Sequence, residues 1–221
     1  YELANVKRQK ENDNKAYGLD VFEGDYCLRL HNASGFYTPV VFPAAGLYRL
    51  TFHARPRPDS KTYSINPVRA FVRLNDGSDL EIFRMKRMEL FWRYAEYSAL
   101  FEIPADKLPA DGKLKVYIHG LGVAGDAAAK TDRSTYVDGV SIVKVDPATV
   151  VSPTVPETTR LYVAEGAMLN LDYPGTKTVK TLSLGGVHKP AGVYSAANCP
   201  GYLTGMGSVE VKPDGMVITI R

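Results

Sequence analysis

The chain has 221 residues, 27 of them basic and 24 acidic, and a formal net charge of +3 at pH 7. This length suffices for one large sandwich or two modest domains, since a single core usually serves about 100 to 200 residues. The charges are spread without a Lys/Arg run and give no argument for a nucleic-acid partner. No stretch approaches the roughly 18 consecutive apolar residues that a membrane span requires. The start at Tyr1 rather than Met suggests a piece of a longer polypeptide, so an export signal would be out of view.

The composition is typical of β structure, because the 14 Tyr, 19 Gly and 14 Pro residues favour pleated strands separated by tight turns. The two cysteines, Cys27 and Cys199, lack the CxxC pairs of a zinc site. Cys27 alternates with apolar residues in a predicted strand, which favours a buried free thiol over a Cys27–Cys199 disulfide.

Short runs with a period of two, or rich in β-branched and aromatic residues, are each closed by Gly, Pro, Asn or Asp. No window favours a helix. The predicted strands are 26–31, 36–42, 47–55, 68–74, 80–85, 94–103, 113–119 and 136–145. Eight strands at this spacing predict an all-β fold, a jelly-roll β-sandwich.

The domain boundary is predicted at 146–159, a Pro-, Thr- and Val-rich segment without periodicity that is typical of an extended linker. Residues 1–145 then form the sandwich, and residues 160–221 form a small Gly-rich β domain. An isolated core of about 60 residues is marginal, so this second unit is expected to lean on a neighbour.

The candidate binding site follows from strand parity. If successive strands are antiparallel, the connections 31–35, 56–67, 87–93 and 120–135 emerge at one end of the sandwich. Aromatic faces stack on sugar rings, and Asn, Asp, Arg and His groups pair with hydroxyls; Arg-rich loops also suit carboxylated or sulfated glycans. The predicted ligand-binding residues are His31, Asn32, Arg55, Arg57, Asp59, Tyr63, Trp92, Tyr94, Asp126, Asp132 and Arg133.

Two alternatives to this site stay open. Arg55, Asp59, Asp132 and Arg133 could form ion pairs that stabilise the loops, with Trp92 closing the end of the sandwich. A ligand could also bind on the concave face of a sheet rather than at the loop end.

Catalytic signatures are absent from the sequence: it has no GxSxG, HExxH, P-loop or strand-linked GxGxxG motif. The four histidines have no metal-ligand spacing, and no pattern sets Glu96, Asp126 or Asp132 at the separation of a glycosidase pair. The sequence therefore predicts a protein that is not an enzyme.

The stretches GDYCLRLHNASGFYTPVVFPAAGLYRLTFHARPRP, FEIPADKL, GKLKVYIHGLGVAGDAAAK and STYVDGVSIVKV resemble galactose-binding-like carbohydrate-binding modules found beside secreted bacterial glycan-degrading enzymes. The resemblance covers about residues 1–145. It implies a jelly roll, binding of a polysaccharide or glycoprotein glycan, adjacent domains of a parent polypeptide, and a structural calcium. Asp138 is the matching metal ligand, although Gly139 stands where a second Asp is usual.

Independently of the resemblance, Asp138 shares its side of the strand with Val140 and Ile142, so it should need calcium or a backbone N–H as partner.

The tail LYVAEGAMLNLDYPGTKTVKTLSLGGVHKPAGVYSAANCPGYLTGMGSVEV resembles autotransporter-associated β repeats of exported bacterial proteins. This resemblance implies a secreted or cell-surface location and no activity of its own. The expected function is thus a non-catalytic carbohydrate-binding module of a larger secreted bacterial protein. The alternative is a structural or adhesive β module that docks on its own catalytic domain or on another surface protein.

Overall fold

The computed structural model describes residues 4–10, 22–23, 26–56, 66–85, 94–121 and 134–213. It divides into two compact units, Tyr1–Asp146 and Pro147–Arg221. In the described parts of the chain no helix is long and apolar enough to cross a membrane.

The described residues of the first unit form eight antiparallel strands and one short 3-10 turn, Ala105–Lys107. The strands are β1 (Ala4–Lys10), β2 (Tyr26–Val41), β3 (Gly46–Pro56), β4 (Val68–Arg73), β5 (Asp79–Arg84), β6 (Ala95–Ile103), β7 (Lys113–Gly120) and β8 (Ser134–Lys144). Their order is β5-β4-β7-β2-β8-β3-β6, and β1 pairs with β2.

The long strand β2 belongs to both layers of the sandwich. Its residues Leu28–His31 pair with β8, whereas Gly35–Val41 pair with β7. We call β5-β4-β7 with the second half of β2 the front sheet, and the first half of β2 with β8-β3-β6 the back sheet.

The core lies between these sheets because alternate residues of each strand point inward. On β3 these are Tyr48, Leu50, Phe52 and Ala54, all buried. The rings of Phe52 on the back sheet and Phe83 on the front sheet are 5.3 Å apart. The prediction of an all-β jelly-roll sandwich is therefore confirmed.

The crossing in β2 is where the predicted strands differ most from the structure. The sequence Asn-Ala-Ser-Gly at 32–35 resembles a turn, yet strands predicted at 26–31 and 36–42 form one continuous strand. Ser34 and Gly35 are buried there, and the Ser34 hydroxyl accepts the His31 N–H at 2.8 Å. A side-chain acceptor thus satisfies backbone where the strand changes partner. Strand β1 was not predicted.

The second unit is a short coil of parallel strands. Its strands are β9 (Arg160–Val163), β10 (Leu169–Asn170), β11 (Thr176–Val179), β12 (Thr181–Leu184), β13 (Val187–Lys189), β14 (Gly192–Ser195), β15 (Leu203–Thr204) and β16 (Ser208–Val211). They form three small sheets, β13-β12-β9, β10-β15 and β11-β16-β14. Residues 160–179 supply one strand to each sheet and residues 181–211 supply its parallel partner, so the chain makes two turns of a three-sided coil.

The coil encloses its own core, which includes Leu171, Leu182, Leu184 and Val209. Antiparallel strands β13 and β14 cover the outer edges of β12 and β16. Part of the predicted linker also packs here: Val155 lies against this core, and Glu157 pairs with Lys212 at 3.0 Å. The segment therefore packs as part of the second unit.

Gly112 offers a test of the front sheet's packing. It has φ +68°, and an added Cβ would lie 2.5 Å from the Phe42 carbonyl oxygen; Gly77 has φ +82° but open space around it. Gly77→Ala should cost about 1–2 kcal/mol, the usual left-handed penalty, and Gly112→Ala should cost a further 1–3 kcal/mol or so because backbone must move. Urea denaturation measures both, and equal losses for the two variants would contradict the close approach of Gly112 to Phe42.

Candidate functional site

The predicted loop end is bordered by strand ends that do lie together. His31 pairs with Ser134 and Pro56 with Thr135. Asn66 Nδ2 donates to the Leu30 carbonyl at 3.2 Å, and Thr135 Oγ1 donates to the Asn66 carbonyl at 2.6 Å. Most of the predicted binding residues lie outside the described residues and stay predictions: Arg57, Asp59, Tyr63, Trp92, Asp126, Asp132 and Arg133.

Arg55 and Tyr94, which the structure describes, pack against other side chains of the protein. Arg55 is only 4% exposed, and its guanidinium carbon lies 5.1 Å from the Tyr94 ring centroid and 5.7 Å from that of Tyr136. Tyr94 packs against buried Cys27 and Tyr136, and burial raises the pKa of both the Cys27 thiol and the Tyr94 hydroxyl. Among the described residues neither Cys27 nor Cys199 forms a disulfide, which agrees with the preference drawn from the sequence.

His31 and Asn32 lie on β2 where it approaches the crossing. The His31 side chain is half-buried. For Asn32 the structure describes the backbone only. The roles of His31 and Asn32 in ligand binding stay predictions.

Asp138, the predicted calcium ligand, accepts three backbone hydrogen bonds. Its Oδ2 accepts the N–H groups of Phe22 at 3.0 Å and Glu23 at 3.2 Å, and its Oδ1 accepts that of Gly139 at 2.8 Å. These donors occupy three of the roughly four lone-pair sites of a carboxylate. Within the described ranges no group of three or more His, Cys, Asp or Glu side chains could hold a metal ion. The three backbone amides supply the partners that this carboxylate needs, and calcium binding at Asp138 stays a prediction.

These bonds hold residues 22–23 against the outward side of the back sheet. The Phe22 ring stacks on His53, with centroids 3.5 Å apart and planes 13° apart. A Cβ on Gly139, which has φ +56°, would lie 3.1 Å from Phe22 and 3.0 Å from His53. The packed ring therefore covers part of the back sheet.

The front sheet instead presents an ordered set of polar and aromatic side chains to solvent. Alternation sends Ala70, Val72, Val116 and Ile118 into the core, so their neighbours in sequence point outward. Strand register arranges these neighbours in three rows across β5, β4, β7 and β2: Arg84-Arg69-His119-Gly35, then Glu81-Phe71-Tyr117-Tyr37, then Asp79-Arg73-Lys115-Pro39. We call these twelve residues the front face.

The middle row is a ladder of rings. Phe71 and Tyr117 stack with centroids 4.7 Å apart and planes 3° apart, and Tyr37 lies 5.1 Å from Tyr117. Phe71 is 4% exposed, and the Arg69 guanidinium carbon lies 4.3 Å from the centroid of the Phe71 ring. Tyr37 and Tyr117 are half-buried. The ladder thus has one buried supporting ring and two accessible tyrosines.

Ion pairs fix the guanidinium groups at the β5 side of the face. Glu81 accepts Arg69 Nε at 2.7 Å and Arg84 Nη2 at 2.7 Å. Asp79 pairs with Arg73 and lies 3.5 Å from Arg69. The pKa of Arg84 is raised by its bond to Glu81, and that of Arg73 by its bond to Asp79. These charge-assisted contacts hold planar donors in place.

His119 lies over Gly35, where an added Cβ would be only 2.0 Å from the imidazole Cδ2. Burial, and next the nearby Arg69, lowers the pKa of His119, while Asp79 opposes the shift. A neutral imidazole offers one donor and one acceptor, so this row of the face is suited to hydroxyl groups.

None of the front-face residues was among the predicted ligand-binding residues. A signal was present, since VRAFVR and KLKVYIH place basic and aromatic side chains at alternate positions. Which strands pair is set by non-local contacts, however, and the neighbourhood of Phe71, Tyr117 and Tyr37 depends on that pairing.

The sequence matches no protein-family model and no curated protein at a significant level. Among solved structures, a family 35 carbohydrate-binding module from Clostridium thermocellum is 13% identical, with coverage of 65% of this chain and 91% of that chain and a TM-score of 0.42. The CBM22-1 xylan-binding domain of Paenibacillus barcinonensis Xyn10C is 11% identical, with coverage of 64% and 82% and a TM-score of 0.40. The enzymatically active domain of tailspike protein 4 from bacteriophage CBA120 is 10% identical, with coverage of 65% and 18% and a TM-score of 0.40. At these values the likenesses transfer neither a ligand nor residue roles to this chain.

Glu81 tests the ion-pair network. Glu81→Gln removes the carboxylate shared by two guanidinium groups that face each other across β4 and β5, and should lower the free energy of unfolding by about 1–2 kcal/mol. Asp106→Asn is the control, because the Asp106 side chain is 74% exposed and its loss should be nearly neutral. Urea titration measures both; an unchanged midpoint for Glu81→Gln would show that the network adds nothing to stability.

His119 predicts a pH effect. Because the pKa of His119 is lower in the folded state, the unfolded chain binds the proton more readily. The free energy of unfolding is therefore higher above the usual His pKa and decreases as pH falls below about 6.5. His119→Gln should flatten this part of the profile of Tm against pH between 7 and 5. A variant profile parallel to that of the unmodified chain would contradict the assignment.

Proposed function

We propose that this chain is a non-catalytic carbohydrate-binding module and that the front face holds the sugar. The observation that carries the proposal is the ladder of Tyr37, Tyr117 and Phe71, in which two accessible phenol rings are supported by a buried ring and flanked by fixed hydrogen-bonding groups. Sugars present apolar C–H surfaces to aromatic rings and hydroxyls to polar groups.

The dimensions of the face suit a short stretch of oligosaccharide. Rows two residues apart on a strand are separated by about 6.8 Å, and four neighbouring strands span roughly 14 Å. The face therefore extends in both directions beyond the middle row. It lies on sheet strands whose inward neighbours form the core, so its side chains are held before a ligand arrives.

Binding without catalysis agrees with the chemistry of the face. Its two carboxylates, Asp79 and Glu81, are both engaged with guanidinium groups. A glycosidase needs one carboxylic acid to protonate the leaving oxygen and a second carboxylate opposite it. Here the acids hold arginines in position instead.

The biological setting is part of the proposal. We place the module in a secreted or cell-surface bacterial glycan-degrading protein, where it would raise the local concentration of its neighbours at a polysaccharide or glycoprotein glycan. The second unit would join it to adjacent domains, in keeping with its resemblance to autotransporter-associated repeats. Calcium dependence belongs to the same set of expectations.

One observation favours the alternative of a docking module. Val140 and Val143, near the end of β8, are 40% and 53% exposed. Val143 pairs with Arg49, whose sequence neighbours Tyr48 and Leu50 point into the core, so Val143 lies on the outward side of the back sheet and could contact a neighbouring domain. This surface is separate from the front face, so docking and sugar binding are compatible.

The proposal is tested by Tyr37→Ala and Tyr117→Ala in the intact chain, screened on a glycan array and then titrated calorimetrically against the glycans that bind. Loss of a stacking ring should weaken binding at least about tenfold, since about 1.4 kcal/mol corresponds to that factor. Tyr162→Ala is the matched control, because Tyr162 is 65% exposed but lies in the second unit. It should bind normally.

Loop-end variants decide between the two candidate sites. If Trp92→Ala or Arg57→Ala abolishes binding while Tyr37→Ala and Tyr117→Ala leave it intact, the sugar binds at the loop end and the front-face proposal is wrong. A folded chain that binds no glycan on the array would favour the docking module.

A further inference from the structure

Arg73 and Lys115 form an unusual pair on the front face. They lie directly opposite each other on β4 and β7, and both project to the outward side, because Arg73 lies 5.4 Å from the Tyr117 ring centroid and Lys115 Nζ lies 4.6 Å from that of Tyr37. Like charges directly opposite on neighbouring strands destabilise a sheet. The sequence thus places two cations where an apolar or oppositely charged pair would be more stable.

The available carboxylates do not balance this pair. Asp79 lies on the far side of Arg73, on β5. Lys115 has no carboxylate partner among the described residues, and its other neighbour in the row is Pro39. Across the front face four cations, Arg69, Arg73, Arg84 and Lys115, are opposed by two acids, Asp79 and Glu81. Among the described residues each of the three arginines contacts Asp79 or Glu81, so the uncompensated positive charge of the face lies at Lys115.

Arg73 also keeps donors for a ligand. Its Nε is the nitrogen that bonds Asp79, and its side chain is 42% exposed. A guanidinium presents five N–H donors in a planar fork that matches a carboxylate. The terminal nitrogens can therefore meet an anion from the solvent side while the bond to Asp79 fixes the plane.

We propose, on the basis of the sugar-binding function above, that Arg73 and Lys115 form a carboxylate subsite and that the ligand is a polysaccharide containing uronic acid. The Arg73 guanidinium would pair with the carboxylate of a sugar that packs on the solvent side of Tyr117 and Tyr37, and Lys115 would add a second charge from the side of Tyr37. Binding of the anion would relieve the repulsion between the two cations. The free energy that this repulsion costs the unliganded chain would then add to the affinity for the anion.

The test compares polygalacturonate and alginate with the same polymers after chemical reduction of their carboxyl groups. Using the intact chain and affinity electrophoresis or calorimetry, the native acidic polymer should bind at least tenfold more tightly than its reduced form, and added NaCl should weaken it. Equal affinity for native and reduced polymers would overturn this inference while leaving the proposed function in place. Absence of binding to either form of both polymers would overturn it too, and glycan-array binding of neutral sugars would then show whether the proposed function survives.

Arg73→Gln and Lys115→Gln test the residues. Each should lower the affinity for the acidic polymer several-fold and reduce its salt dependence, whereas Lys144→Gln, which removes an exposed lysine of the back sheet, should leave both unchanged. Equal losses in all three variants would indicate a general charge effect and contradict a subsite.

The ligand-free Tm separates binding from structure. Lys115→Gln should raise it or leave it unchanged, because the variant removes a repulsion; a lower Tm would mean that Lys115 serves the fold. Chondroitin sulfate and its desulfated form distinguish the kind of anion: binding that follows the sulfate rather than the carboxylate would overturn the assignment to uronic acid.

Discussion

The antiparallel register that joins β4, β7 and the second half of β2 is the constraint on which the candidate site depends. Because side chains alternate across a sheet, the same register that sends Val72, Val116 and Ile118 into the core sends Phe71, Tyr117 and Tyr37 to the outside in one row. A slip of one residue in any of these strands would exchange the two sets. The apolar core therefore fixes the positions of the front-face side chains, and the face needs no loop to position it.

The front face carries features that the fold alone does not require. Aromatic rings at outward positions bury less area than they would in the core, and Arg73 opposite Lys115 is unfavourable in the absence of a partner. The same face is rigid, because Glu81 and Asp79 hold three guanidinium groups and Phe71 supports the tyrosines. Side chains that are costly for stability but firmly positioned are expected where a protein binds its ligand. The back sheet differs, since residues 22–23 pack over part of it.

The sequence predicted the β class, the sandwich and most strand positions, because alternation and turn residues are local signals. It missed the continuity of β2, since residues 32–35 have the composition of a turn and the strand continues through them because its two halves pair with β8 and β7, which are distant in sequence. It also predicted the site at the loop end, from the residue types in the loops. That reasoning selected Arg55, whose burial between Tyr94 and Tyr136 depends on packing, and could not select Tyr37 and Tyr117, whose proximity depends on pairing between strands that are distant in sequence. Asp138 was correctly expected to need a partner. Two of its hydrogen-bond donors are the backbone amides of residues 22 and 23, which are remote in sequence.

The measurement that tests the central claim most directly is an amide chemical-shift titration of the isotope-labelled chain with tetragalacturonate. The account predicts that the largest shifts fall on Tyr37, Phe71, Tyr117 and their neighbours in the three rows of the front face. Shifts concentrated instead on His31, Asn66 and Gly120, which border the loop end, with the front-face amides unchanged, would contradict it.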